Sequence, residues 1–155
     1  MFAVIDCEGI QTSREHICIR SMYALTADEK DSISMEFTPC KSFTDIDRKY
    51  QKSFLYCRKF IHMLDFYPAS PEFTCSEAPG KVKEFVERNQ IKVLLYKGGI
   101  IEKRLCNEIN VPNYNIEKLS VKKANSHQPS VEVKDYLRQL KTMYNFCEIF
   151  DMVIN

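Results

Sequence analysis

The alternation of apolar and polar positions predicts three strands at the start of the chain. Phe2 to Asp6 is a short apolar, β-prone run, His16 to Ala27 carries Ile17, Ile19, Met22 and Tyr23, and Ser32 to Phe37 alternates Ile33, Met35 and Phe37 with polar neighbours. The polar stretch Ala27 to Asp31 between the second and third runs is short enough for a hairpin, which implies an antiparallel meander. From Asp45 to Leu64, Ile46, Tyr50, Phe54, Leu55, Cys57, Phe60, Ile61 and Leu64 recur at helical spacing, and Val82, Phe85 and Val86 do so again after Pro79-Gly80. Pro68, Pro71, Pro79 and Gly80 break regular structure, so Tyr67 to Lys81 reads as a loop within the domain.

The second half alternates strand and helix. Ile91 to Tyr96 is an apolar run of buried-strand length, Gly98-Gly99 punctuates it, and Ile101 to Ile109 reads as a helix that ends before Val111-Pro112. Tyr114 to Ile116 is a short last strand. Val131 to Phe150 carries Val131, Val133, Tyr136, Leu137, Leu140, Met143, Tyr144 and Cys147 at helical spacing and reads as one terminal helix. A meander followed by crossover units implies an α/β domain in which a mixed sheet is flanked by helices.

Composition narrows the class. A chain of 155 residues, 45% hydrophobic and 12% aromatic, suits one compact domain over residues 1–155. Lys and Arg number 22 against 21 acidic residues, so the formal charge of +1 supplies no global field for nucleic acid, and any such binding must be local. The seven cysteines stand singly, with no CxxC pair, and read as reduced, mostly buried thiols. With three histidines and no ligand-spaced pair, zinc is not expected. The opening apolar run meets Asp6 and Glu8 before signal-peptide length, and no apolar stretch approaches the ~20 residues of a membrane span. A soluble intracellular protein, cytoplasmic or nuclear and without a membrane partner, is expected.

The sharpest chemical feature is Asp6-Cys7-Glu8-Gly9. Residues two apart on a strand share a face, so Asp6 and Glu8 present paired carboxylates, the hard oxygen donors that a divalent metal takes. In nuclease chemistry two ions roughly 3.5–4 Å apart hold the attacking and leaving oxygens at phosphorus. A strand end turning to solvent would contain the same residues. Position at the end of the first strand favours the metal.

An apolar strand running into this Asp-x-Glu-Gly resembles the first motif of the DEDDh 3′–5′ exonucleases of the ribonuclease H-like superfamily. Lys97-Gly-Gly-Ile-Ile-Glu102 stands where that family often has His-Asn-Ala-x-Phe-Asp leading into a helix, which sets Glu102 in the place of the third acidic residue. A strand-to-helix turn with a favourable first-turn charge explains Gly98, Gly99 and Glu102 equally well. His127-Gln-Pro-Ser-Val-Glu132 matches the family's histidine followed five residues later by an aspartate. The resemblance makes His127 the general base and Glu132 a metal ligand, with Asp135 as its substitute. Phe60 to Leu64 is similar to the family segment that approaches the terminal nucleotide, which gives His62 a substrate contact. Gly9, Lys97 and Lys123 are further substrate contacts on this view, and Lys103, Arg104 and Lys122 add to a local basic surface.

The resemblance therefore implies a ribonuclease H-like fold with a mixed five-stranded sheet, three antiparallel strands and then parallel additions. Two Mg2+ or Mn2+ ions would be held by Asp6, Glu8, Glu102 and Glu132, and phosphodiester bonds of single-stranded RNA or DNA would be hydrolysed from a free 3′ end. It also allows a catalytically degenerate nuclease-like module, such as the Maelstrom domain, that binds RNA or a protein partner. Two of the four acidic positions, 102 and 132, carry Glu where the family has Asp, and the added methylene moves a ligand on the order of an ångström, enough to matter at a metal site. A plain interaction domain in which Asp-x-Glu is coincidence is the third alternative.

Overall fold

The computed structural model describes residues 1–154. Phe2–Gln11 (β1), Ile17–Thr26 (β2) and Ser32–Thr38 (β3) form the expected meander. β1 runs on past Asp6 because its pairing with β2 continues from Ala3↔Thr26 to Gln11↔Ile17, with a register shift between Glu8 and Gly9. Phe73–Thr74 (β4) lies parallel to β3, Val93–Tyr96 (β5) parallel to β1, and Asn113–Asn115 (β6) parallel to β5. The order β4-β3-β2-β1-β5-β6 makes a six-stranded mixed sheet. Five of these strands match the expectation. β4 is the addition, since two residues are too few to show a period.

The helices are Arg48–Phe60 (α1), Ala78–Arg88 (α2), Ile100–Glu108 (α3), Pro129–Met143 (α4) and Phe146–Ile154 (α5). α1 is shorter than its periodic stretch at both ends: Asp45 belongs to a separate 3-10 turn, Phe43–Asp45, and the chain leaves the helix at Ile61, with Met63 at positive φ. α2 starts before Pro79-Gly80 rather than after it: proline in a first helical turn gives up an N–H that has no helical partner there. The single terminal helix expected from Val131 to Phe150 is two helices. Tyr144 is extended, and Asn145 caps the second helix by accepting from the Glu148 N–H at 2.9 Å, while the Glu148 carboxylate accepts from the Asn145 N–H at 3.4 Å.

Two apolar layers sandwich the sheet. On one face Ala3, Ile5, Met22, Ala24, Phe37 and Leu94 pack with Val82 and Phe85 of α2 and Leu105 and Cys106 of α3. On the other, Phe2, Val4, Tyr23, Leu25, Val93 and Leu95 pack with Val133, Leu137 and Leu140 of α4 and Ile149 of α5. A smaller cluster of Ile10, Ile46, Phe54 and Phe66 fastens α1 near the end of β1. The two-residue period of β1 thus assigns odd positions to the α2/α3 side and even positions to the α4 side.

The cysteines depart from the expectation of free thiols. Cys40 and Cys75 form a disulfide with Cα atoms 6.1 Å apart, because the Thr38↔Thr74 pairing of β3 with β4 brings together the residues just beyond both strands. Cys7, Cys18 and Cys106 are free and buried, whereas Cys147 is exposed. Among the described residues no helix is long and apolar enough to cross a membrane.

Candidate metal centre

Asp6 and Glu8 occupy even positions of β1 and so point to the α4 side, where Glu132 stands in the first turn of the helix. Carboxylate oxygens of Asp6, Glu8 and Glu132 lie within 4.8 Å of one another. Asp6 and Glu132 are buried, and one Asp6 oxygen, Oδ2, has no hydrogen-bond partner. Pro129 sets the entry into α4, and the Gln128 carbonyl accepts from the Glu132 N–H at 3.0 Å, which fixes where that side chain leaves the helix.

Glu102 comes to the same place from the first turn of α3. β5 runs beside β1 only as far as Val4↔Leu95, so the Cys7 amide has no strand neighbour on that edge, and Glu102 Oε1 accepts from it at 2.9 Å. Its other oxygen, Oε2, is buried without a partner and sits so close to Gly99 that a side chain there would collide with it. The absence of a side chain at Gly99 is thus what leaves the carboxylate in this position.

These carboxylates line a cleft of about 460 Å3 together with Lys97, Lys123, His127, Tyr136 and the apolar Ile17, Ile61, Ile100 and Ile101. No family model matches this chain, and no curated protein matches it. The residues themselves must therefore carry the functional argument. A wider groove of about 600 Å3 lies beyond Gln128–Ser130, but its charged side chains, Glu36 and Glu72, are acidic, which suits it poorly to phosphates.

The electrostatics are those of a negative centre without its counter-charge. Burial pushes the Asp6 carboxyl far above the usual range, and the hydrogen bond and charge of Glu132, then Glu102 and Glu8, push the same way. Glu8 is raised to about 7 by burial and then by Glu132 and Glu102, with Lys123 opposing. Glu102 is raised chiefly by burial, against the lowering effect of the Cys7 N–H. At the rim, Lys97 is engaged by Glu117 at 3.3 Å.

All five residues expected to be catalytic, Asp6, Glu8, Glu102, His127 and Glu132, meet in this cleft, along with Lys97 and Lys123. Asp135 does not serve as a substitute ligand. It pairs with Arg138 and accepts from Gln139 at 2.8 Å, and it is Tyr136, one turn from Glu132, that faces the cleft. His62 is buried, accepts from the Leu64 N–H through Nδ1 at 2.9 Å and packs near Phe54, so its neighbour Ile61 reaches the cleft instead. Gly9 also stands apart from the lining: its missing side chain makes room for Ile17 and Ile101 at the register shift of β1. Lys103, Arg104 and Lys122 lie outside the lining as well. Tyr136 was hidden in the sequence as one more core position of a helix, with its spacing from Glu132 as the only signal.

Proposed function

We propose that this chain is a ribonuclease H-like domain of the DEDDh type, a metal-dependent exonuclease that hydrolyses phosphodiester bonds from the 3′ end of single-stranded RNA or DNA. The observation that carries the proposal is the meeting of Asp6 and Glu8 with Glu132, which is far from them in sequence, in one largely buried cluster beside His127. The order β3-β2-β1-β5-β6 supports it, since a meander followed by parallel additions beside the first strand is the arrangement that the resemblance implies.

The donor set fits divalent metal of the Mg2+ or Mn2+ kind. The donors are hard oxygens, they crowd together without a compensating arginine among the described lining residues, and Asp6 Oδ2 and Glu102 Oε2 are buried without partners. Asp6, Glu8 and Glu132 would hold one ion, and Glu102 Oε2 is the donor left for a second. Bound there, such ions activate water and neutralise charge gathering on the phosphoryl oxygens. His127, half-buried at the mouth, accepts the proton of the attacking water on an imidazole nitrogen. Lys97 and Lys123 meet backbone phosphates, and Ile17, Ile61, Ile100 and Ile101 form an apolar wall for the terminal nucleoside. Burial of Asp6, Glu102 and Glu132 keeps competing water from their carboxylates, which strengthens those charges.

One observation favours the degenerate alternative, a module that binds RNA or a protein partner without cleaving: Glu102 spends an oxygen on the Cys7 amide, leaving fewer donors for a second ion. Degradation of 3′-labelled and 5′-labelled single-stranded RNA and DNA in Mg2+ or Mn2+ separates the two. Trimming from the 3′ end that is lost in Asp6→Ala plus Glu8→Ala and in His127→Ala supports the exonuclease. Absence of cleavage by the folded wild type in either metal refutes it and leaves the binding module.

A further inference from the structure

A second group of potential metal ligands lies apart from the carboxylates. His16 Nε2 and Cys18 Sγ are 3.4 Å apart, and with Cys40 Sγ they form a set lying within 4.8 Å of one another. Cys75, disulfide-bonded to Cys40, adjoins them. The sheet explains the convergence. β2 is antiparallel to β3 with Ser21↔Glu36, so the chain entering β2 at His16–Cys18 lies beside the chain leaving β3 at Cys40, and the parallel pair Thr38↔Thr74 adds Cys75. No short-range spacing reveals such a site, which is why none was expected from sequence.

We infer that, with its thiols reduced, this corner of the sheet is a structural zinc site formed by His16, Cys18, Cys40 and Cys75. Three thiolates and one imidazole are a standard closed tetrahedral donor set for zinc. Bond lengths of about 2.3 Å to sulfur and 2.0–2.1 Å to nitrogen give a ligand-to-ligand edge of roughly 3.5 Å, close to the spacing of His16 and Cys18. Soft thiolates also select against the hard ions suited to Asp6, Glu8 and Glu132, so one chain sorts two metals by donor type. Burial of Cys18 and Cys75 and exposure of His16 and Cys40 put the site at the surface with a path for entry.

The site and the Cys40–Cys75 bond are alternative states of the same sulfurs. Two molecules of a small thiol reductant open the bond, giving two cysteine thiols and one reductant disulfide. Zn2+ then displaces the three thiol protons of Cys18, Cys40 and Cys75 into solvent and takes the lone pair of neutral His16 Nε2. In either state the two-residue β4 is tied to the edge of the sheet. The zinc state adds β2 to the tie.

Metal content and Co2+ spectra of the whole chain, prepared in reductant and desalted, test this. About one zinc per chain is expected, and Co2+ in its place should show the visible bands of tetrahedral cobalt with thiolate-to-cobalt charge transfer in the near ultraviolet. Cys18→Ser and His16→Ala should both lose these signals, and since His16 is exposed its replacement spares the fold. Cobalt at the carboxylates gives no thiolate band and so is not mistaken for this site. A reduced, folded wild type with no thiolate band and no more zinc than Cys18→Ser overturns the inference and leaves a disulfide alone.

Discussion

Asp6→Asn is expected to stabilise the metal-free protein. Asp6 has an ordinary value of 3.8, and burial with Glu132, Glu102 and Glu8 around it carries the carboxyl far above neutrality in the fold. At pH 7 the unfolded chain has Asp6 ionised, so folding must restore a proton over roughly three pH units, which at about 1.4 kcal/mol per unit costs about 4 kcal/mol. The sign is that of a raised acid: its contribution is fully present below 3.8 and is lost as pH rises through the folded value. Asparagine keeps the shape, has no proton to regain, and can donate to Glu132. Allowing about 1–2 kcal/mol for the imperfectly paired amide leaves a gain of about 2–3 kcal/mol. For a chain of this size that raises Tm by roughly 4–12 °C. Thermal denaturation in chelator at pH 7 and pH 5 reads the effect, which should shrink at the lower pH by about 1.4 kcal/mol per unit because the proton taken up on folding costs less at higher proton activity. Millimolar Mg2+ or Mn2+ should then raise the wild type and not the variant. A variant no more stable than wild type at pH 7, or a gap unchanged at pH 5, refutes the crowded-carboxylate account.

Metal affinity should rise with pH, because Glu8 at about 7 and the still higher Asp6 carboxyl must lose protons to the ion; calorimetry in buffers of different ionisation enthalpy should detect proton release at pH 7. Gly99→Ala should displace the Glu102 carboxylate from the Cys7 amide, at a cost of about 1–3 kcal/mol for the buried N–H left behind, measured by urea denaturation. Leu140→Ala removes a fully buried side chain between α4 and the sheet and should cost about 2–5 kcal/mol in the same assay, whereas Leu55→Ala, at a site 48% exposed, should cost little.

Much of the fold was legible because period and burial agree. The alternation in β1 that assigns Phe2 and Val4 to one layer also puts Asp6 and Glu8 on one face, so the paired carboxylates follow from strand geometry alone. The other two strands of the meander were visible for the same reason. What escaped has physical causes of its own. β4 is too short to carry a pattern, and its absence hid the approach of Cys75 to Cys40. The apolar spacing of α4 continues smoothly through Tyr144, so the break depends on the Asn145 cap and not on hydrophobicity. The choice between Asp135 and Glu132 is one of helical azimuth. Side chains three and four apart lie near one another, but Arg138 and Gln139 draw Asp135 to the outer surface.

The longer carboxylate at position 102 has a structural use that an aspartate in the same place would lack. β1 loses its parallel neighbour beyond Val4, which leaves the amide of Cys7, the residue between the two β1 carboxylates, facing the start of α3. Glu102 reaches that amide from the helix, and Gly99 leaves space for its outer oxygen. The added methylene therefore lets one side chain hold the backbone that carries Asp6 and Glu8 while keeping Oε2 free and buried beside the centre. Substitution of aspartate by glutamate need not weaken the centre if one oxygen holds the strand and the other faces the metal. On the proposed metal-centre reading, its effect on chemistry depends on the direction of that single oxygen, while the bond from the Cys7 amide holds the strand in either case.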